Sequence, residues 1–499
     1  MTNKKSIPFI FKFKTENNFY IYDINTNDII SVEKIIWDIV DYIMILGKNE
    51  IIEKFKNVYS KNKINHAIKE INNFKEKYSI FKVNSIKSIK FPLSIKEIEF
   101  YLNNNISHII LNVTDYCNLN CNYCKFSGHY YFEHIHSYKF MTEEIAKKSV
   151  DFLIDHSKNL KQEKLSIGFY GGEPLLNFRV IQYVVDYAKN KIKNPINFSI
   201  STNGVLINKK IAQFLIKNNF ILNISIDGPK KINDRYRRDK KGNGSFDQIS
   251  KNLKLVKLMH FKYFSKRVGS IVTLSPPFKL KEVYDFFNYF PDIPPGVVRI
   301  SLVDTEDTGF YNQFNKNNIW KNYDIQRKEI EKLFFRKIIS KKFEDISNFE
   351  WGYLGKSLID IHTRDIFLLN ENIDPNGICI PGFERPLIGT NGSIYICEKM
   401  GYNFPIGNID TGYNIQLILK LMNDYIKISH KCKNCWAVRL CKACFITAKK
   451  GKILDRVRKN ENCIKILSYH ENSLNFYCKI MENNPQLLDR IVIPVFTNR

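Results

Sequence analysis

Ten of the eleven cysteines in this 499-residue chain fall into spaced groups. Cys117, Cys121 and Cys124 stand in CNLNCNYC, Cys379 and Cys397 lie far downstream, and the run CKNCWAVRLCKAC supplies Cys432, Cys435, Cys441 and Cys444 before Cys463. A cytosolic chain keeps thiols reduced, so the spacing points to metal and not to a disulfide framework. An iron-sulfur cube takes four thiolates. Three in one short loop leave one iron free to bind something else. Zinc is the competing filling for each group; in the first it wants a fourth nearby ligand with tetrahedral closure, and His129 is the near choice.

The loop that carries the first group needs a rigid seat. It follows HIILNV, the first of six β-rich runs, the others being LSIGFY, NFSIST, ILNISI, VGSIVTL and VVRISLV, with helix-length stretches such as EEIAKKSVDFLIDH and FDQISKNLKLVKLMH between them. This alternation predicts an α/β fold with a parallel sheet, a partial (β/α)6 barrel whose chemistry sits at the C-terminal strand ends. Successive strand ends then carry Gly171-Gly172-Glu173-Pro174, Ser201-Thr202-Asn203-Gly204 and Ser225-Ile226-Asp227-Gly228-Pro229, followed by NDRYRRD with Arg237. Singly, each reads as a turn or a solvated charge. At successive strand ends they converge on one face.

The CX3CX2C spacing, with Tyr123 before its last cysteine, resembles the signature of radical S-adenosylmethionine (SAM) enzymes. The resemblance implies a [4Fe-4S] cluster on Cys117, Cys121 and Cys124 whose free iron chelates SAM, and reductive cleavage to a 5′-deoxyadenosyl radical. It also implies a SAM-contacting set of Tyr123, Gly171, Gly172, Glu173, Pro174, Asn203, Ser225 and Arg237. The downstream cysteines resemble a SPASM domain, which holds two auxiliary [4Fe-4S] clusters, so three clusters are expected. By that resemblance Cys432, Cys435, Cys441 and Cys463 hold the second auxiliary cluster, and Cys379, Cys397 and Cys444 the first. One gap in the central run is a residue shorter than is common. The first auxiliary cluster also lacks a fourth protein cysteine, leaving an iron open to a substrate thiolate. Glu398, directly after Cys397, is the candidate for the base that formylglycine formation needs, with a solvent-facing Glu as the plainer reading, and Cys478 is an ordinary thiol.

The expected divisions are 1–95, short strands followed by helices; 96–305, the barrel; 306–375, a helical connector; 376–470, the turn-rich cysteine domain; and 471–499, a tail. The first division resembles the element by which maturases of ribosomal peptides bind a leader segment as an added strand. From end to end the chain resembles radical SAM/SPASM maturases of Cys-rich ribosomal peptides. That implies thioether formation on a precursor peptide with a leader, and an electron donor such as flavodoxin or ferredoxin. Formylglycine formation on a sulfatase, peptide epimerisation, carbon-carbon crosslinking and a non-catalytic iron-sulfur scaffold are the alternatives. The formal charge of +26 comes from scattered lysines with no basic stripe interleaved with aromatics, which argues against nucleic acid. No stretch stays apolar for the length of a membrane span, so a cytoplasmic protein is expected.

Overall fold

A computed structural model describes residues 7–161, 163–340, 342–375, 377–483, 485–486 and 488. The chain opens with β1 (Ile10–Lys14), β2 (Phe19–Asp23) and β3 (Asp28–Val32), an antiparallel sheet in that order. Helix α1 (Lys61–Tyr78) covers it with Ile64, Ile68 and Ile71, and Ile21 and Phe81 complete a small core of their own. The two alternating runs at the start of the chain therefore form strands as expected.

The six β-rich runs become β4 (His108–Thr114), β5 (Leu165–Gly171), β6 (Ile196–Thr202), β7 (Ile221–Ser225), β8 (Val268–Leu274) and β9 (Val298–Leu302). All pair in parallel and in sequence order. Parallel neighbours require crossovers, which α2 (Glu143–Asp155), α3 (Phe178–Lys191), α4 (Lys209–Lys217), α5 (Phe246–Met259) and α6 (Leu280–Tyr289) help to supply. β4 is buried over six of its seven residues because it is covered on both faces. The fold class is α/β with a central parallel sheet, as expected.

Two features were not anticipated. The sheet continues past β4 through β10 (Leu387–Ile388), parallel to it, and then antiparallel through β11 (Ser393–Tyr395), β12 (Pro405–Asn408) and β13 (Gly412–Tyr413). Part of the turn-rich cysteine region is thus an extension of the barrel sheet. Helix α9 (Arg456–Asn483), which follows α7 (Lys316–Ile339) and α8 (Ile415–Ile428), also runs straight through residue 470, where a boundary was expected. It packs Phe476 against Phe334 and Phe335 of the connector helix Lys316–Ile339.

Candidate active site

The first cysteine loop leaves β4 and passes under the loop that leaves β5. That crossing explains the two glycines. A Cβ on Gly171 would lie 2.3 Å from the Thr114 carbonyl oxygen, and one on Gly172 2.3 Å from that of Tyr116. Gly171 also has φ +138°, which only glycine adopts readily. The Gly172 and Glu173 N–H groups donate to the same two carbonyls, each at 2.9 Å.

Glu173 is wholly buried. It accepts from the Thr202 hydroxyl at 2.7 Å, from the Asn203 N–H at 2.7 Å and from the Leu175 N–H at 3.0 Å, joining the Gly-Gly-Glu-Pro174 loop to the end of β6. Burial pushes its carboxyl up despite these donors. The Asn203 amide donates to Asn118 at 2.8 Å and stands 3.9 Å from the Cys117 sulfur.

Tyr123 and Arg237 are buried together. The Arg237 guanidinium donates to the Tyr123 hydroxyl at 3.0 Å, and that hydroxyl donates to Asp227. Burial alone would favour neutral Arg237, but Tyr123, Cys121 and Asp227 opposite it hold it charged, well above its ordinary range. Its Nε is buried with no hydrogen-bond partner among the described residues. Arg237 is therefore no surface charge. Ser225, at the end of β7, has no side-chain hydrogen-bond partner among the described residues. Asp227, two residues on, is the group that the sequence reading passed over. Its signal was present in the Ser-Ile-Asp-Gly-Pro motif.

Burial raises all three thiols of the first loop; Cys121 and Cys124 raise Cys117 further, after Glu173, and Cys124 raises Cys121. Burial pushes Cys117 and Cys121 up to about 12, with neighbouring thiols adding to the shift. Backbone N–H groups already point at sulfur, Leu119 to Cys117 at 3.4 Å and Phe126 to Cys124 at 3.5 Å. Thiols buried beside a guanidinium and backbone donors suit thiolate ligation, which releases protons as metal binds. Among the described residues no three histidine, cysteine or carboxylate side chains converge on a single-ion site.

The C-terminal thiols sort into two sets by the same criterion. Cys379 is raised first by burial, then by Cys397, Glu384 and Cys444. Cys435 is raised first by burial, then by Cys432, Cys441 and Cys463. Lys459, 3% exposed, sits within the second set with its ammonium 3.4 Å from the Cys432 sulfur and 4.0 Å from that of Cys463. Buried cations are tolerated where anions face them, so this set fits a thiolate-ligated cluster. Cys478 is buried in α9, apart from both.

Glu398 is not solvent-facing. It pairs with Arg385 at 2.7 Å, and its Oε2 is buried with no hydrogen-bond partner. Tyr170, on β5, is raised by burial and then by both Glu398 and Cys124. Asp304, just beyond β9, was also missed. Burial pushes its carboxyl up, but Lys125, 2.8 Å away and next to Cys124, brings it below the usual carboxylate range.

Residues 111–290 match the radical SAM superfamily. The chain thus carries a radical SAM domain, built on β4 to β8 and the helices between and after them. Over 388 residues it is 24% identical to a cysteine-type anaerobic sulfatase-maturating enzyme of Clostridium novyi, covering 74% of this chain and 96% of that one. It is 27% identical over 321 residues to the radical SAM cyclopropyl synthase TigE of Paramaledivibacter caminithermalis, covering 61% and 64%. The structure of anSMEcpe with bound AdoMet and the Cp18Cys peptide shares the fold at TM-score 0.53 and 21% identity, over 77% of this chain and 98% of that one. No helix among the described residues is long and apolar enough to cross a membrane.

Proposed function

We propose that this enzyme matures a cysteine-containing peptide, forming a thioether between a peptide thiol and a carbon of an acceptor residue. The observation that carries the reading is the division of the C-terminal thiols into a set of four and a set of three. In the set of three a fourth ligand position is left for a substrate thiolate.

Bound at these sites, SAM and a [4Fe-4S] cluster supply a carbon-centred radical at the 5′ position of deoxyadenosine; two further clusters occupy the C-terminal sets. Cys117, Cys121 and Cys124 are the ligands of the first. With SAM bound, Arg237, whose Nε has no hydrogen-bond partner among the described residues, would face its carboxylate, and Glu173, with lone pairs left beyond its three donors, would receive its ammonium. Asn203 and Ser225 contact the ribose. Gly171 and Gly172 keep the wall free of side chains, and Tyr123 holds Arg237 in place. Glu398, whose Oε2 has no donor of its own, takes the proton of the peptide thiol beside Cys397.

The first sheet captures the leader. β3 pairs only with β2 among the described residues. Beside its end lies a cavity of about 440 Å³ lined by Glu33, Lys34, Tyr59, Lys63 and Glu70. An extended peptide added to β3 meets this mixed-charge cleft.

Formylglycine formation on a sulfatase is the second reading, supported by the 96% coverage of the sulfatase-maturating relative. One experiment separates them. Reconstituted enzyme, SAM and reductant are incubated anaerobically with synthetic Cys-containing peptides, including any short Cys-rich reading frame found beside the gene, and the product is alkylated and weighed. Thioether formation removes two hydrogens and one alkylatable thiol per event. An unchanged mass that gains deuterium from heavy water means epimerisation. No change, together with conversion of a sulfatase peptide, means the second reading.

A further inference from the structure

The segment that follows the first cysteine loop exposes Tyr131, Ile135, Tyr138 and Phe140, with Tyr138 75% exposed. Large apolar side chains gathered in one short segment are uncommon on a surface without a partner. The segment is firmly held. The Asp115 N–H donates to the Lys139 carbonyl, the His136 N–H donates to that of Phe126, and Thr114 bridges Phe140. Tyr138 stacks on Tyr116, with ring centroids 4.3 Å apart, and Lys240 lies 4.5 Å and 5.4 Å over the two rings. These rings form a rigid platform.

The platform has a basic border. Arg238, Lys240 and Lys241 are exposed, and their segment is pinned along the cysteine loop by a 2.7 Å bond from the Asn120 N–H to the Arg238 carbonyl and a bridge between Leu119 and Asp239. The site it adjoins is the first thiol group. Tyr116 immediately precedes Cys117, and His136, from the same segment, reaches within 3.9 Å of the Cys124 sulfur.

We propose that this surface docks an acidic one-electron carrier protein of the flavodoxin class. Electron-transfer encounters bury little area and lean on complementary charge, which a few aromatic rings with a lysine and arginine border provide. The donor's anionic flavin hydroquinone becomes the neutral semiquinone by loss of one electron and no proton. The electron passes at the Cys117–Cys124 edge, and no bond of this protein changes. The inference rests on the reading of those thiols as the site of the reducible cluster.

The test compares wild type with Tyr138→Glu/Lys240→Glu. Binding of a purified bacterial flavodoxin is measured by surface plasmon resonance at about 50 and about 300 mM salt, and SAM cleavage is driven either by reduced flavodoxin or by dithionite. Wild-type affinity should fall with salt. In the variant it should fall about tenfold or more, with the flavodoxin-driven rate following it and the dithionite-driven rate within twofold of wild type. Equal flavodoxin affinity in the two proteins overturns the proposal. So does an equal loss with both reductants, or weakened peptide binding with donor binding intact. If wild type cleaves no SAM with dithionite, the cluster reading has failed, and the binding data still decide the docking question.

Discussion

The ring of Phe11 on β1 lies 3.7 Å from that of Trp436, with 10° between their planes. Trp436 directly follows Cys435. The same loop sends Arg439 to the Asn25 carbonyl at 3.1 Å and to that of Phe367 at 2.6 Å. The sheet proposed to capture the leader is therefore seated on the loop that carries Cys432, Cys435 and Cys441, three of the set of four thiols. Trp436→Ala should cost about 2 kcal/mol and raise amide exchange in residues 7–32, while SAM cleavage without peptide stays near wild type. Unchanged exchange in that sheet would mean the stack holds nothing.

Iron content checks the thiol groups. Three clusters amount to about twelve irons per chain, and Cys121→Ala should leave about eight and produce no 5′-deoxyadenosine. Cys435→Ala should also lose about four irons yet retain SAM cleavage. Deoxyadenosine from Cys121→Ala would sink the assignment of the first loop.

Lys459 places a positive charge between two sulfurs of the set of four. A nearby cation favours the reduced, more negative cluster. Lys459→Met should therefore shift one reduction potential downward in an electron paramagnetic resonance titration and leave the others in place. A uniform shift of all signals would point to general unfolding instead.

The sequence announced the barrel because its six strands are runs of five to seven residues, mostly apolar on faces covered by helices. β10 and β13 have two residues each, too few for any alternation to register, and β10 pairs with Ile110 and Leu111 across more than 270 positions. The thiol groupings were legible from spacing because neighbouring cysteines share a loop. Asp227 was not, since its importance comes from Tyr123, 104 positions away. Trp436 likewise read as one aromatic among many. Its partner lies at the other end of the chain.

Arg237 and Asp227 face each other through Tyr123 in a buried space. Arg237→Met leaves Asp227 without its counter-charge, a loss of about 3–5 kcal/mol. The double variant with Asp227→Asn should recover part of it. Thermal unfolding of the four proteins gives the coupling, and strict additivity would show that the two groups do not interact.

His470 is buried on α9, and burial lowers it to about 4. In the unfolded chain it titrates near 6.5, so between those values the unfolded state binds the extra proton. Its contribution is intact above about pH 6.5 and is lost as the pH falls toward about 4. Measured as melting temperature against pH, His470→Gln should be less acid-sensitive than wild type across that window. A parallel pair of curves would exclude His470 as a source.

Helix α9 joins features that the chain order separates. Near its start are Lys459 and Cys463; near its end Glu482 accepts from Thr15 at 2.6 Å and from Tyr20 at 2.9 Å, while Lys479 pairs with Glu16 at 2.7 Å. At a rise of about 1.5 Å per residue it is a strut of about 40 Å. Thr15 and Tyr20 thus have part of their mooring more than 450 positions further along the chain. The sheet cannot take that berth until α9 has been made, and a helix one turn shorter at its end gives up these contacts while the seat on Trp436 and Arg439 stays.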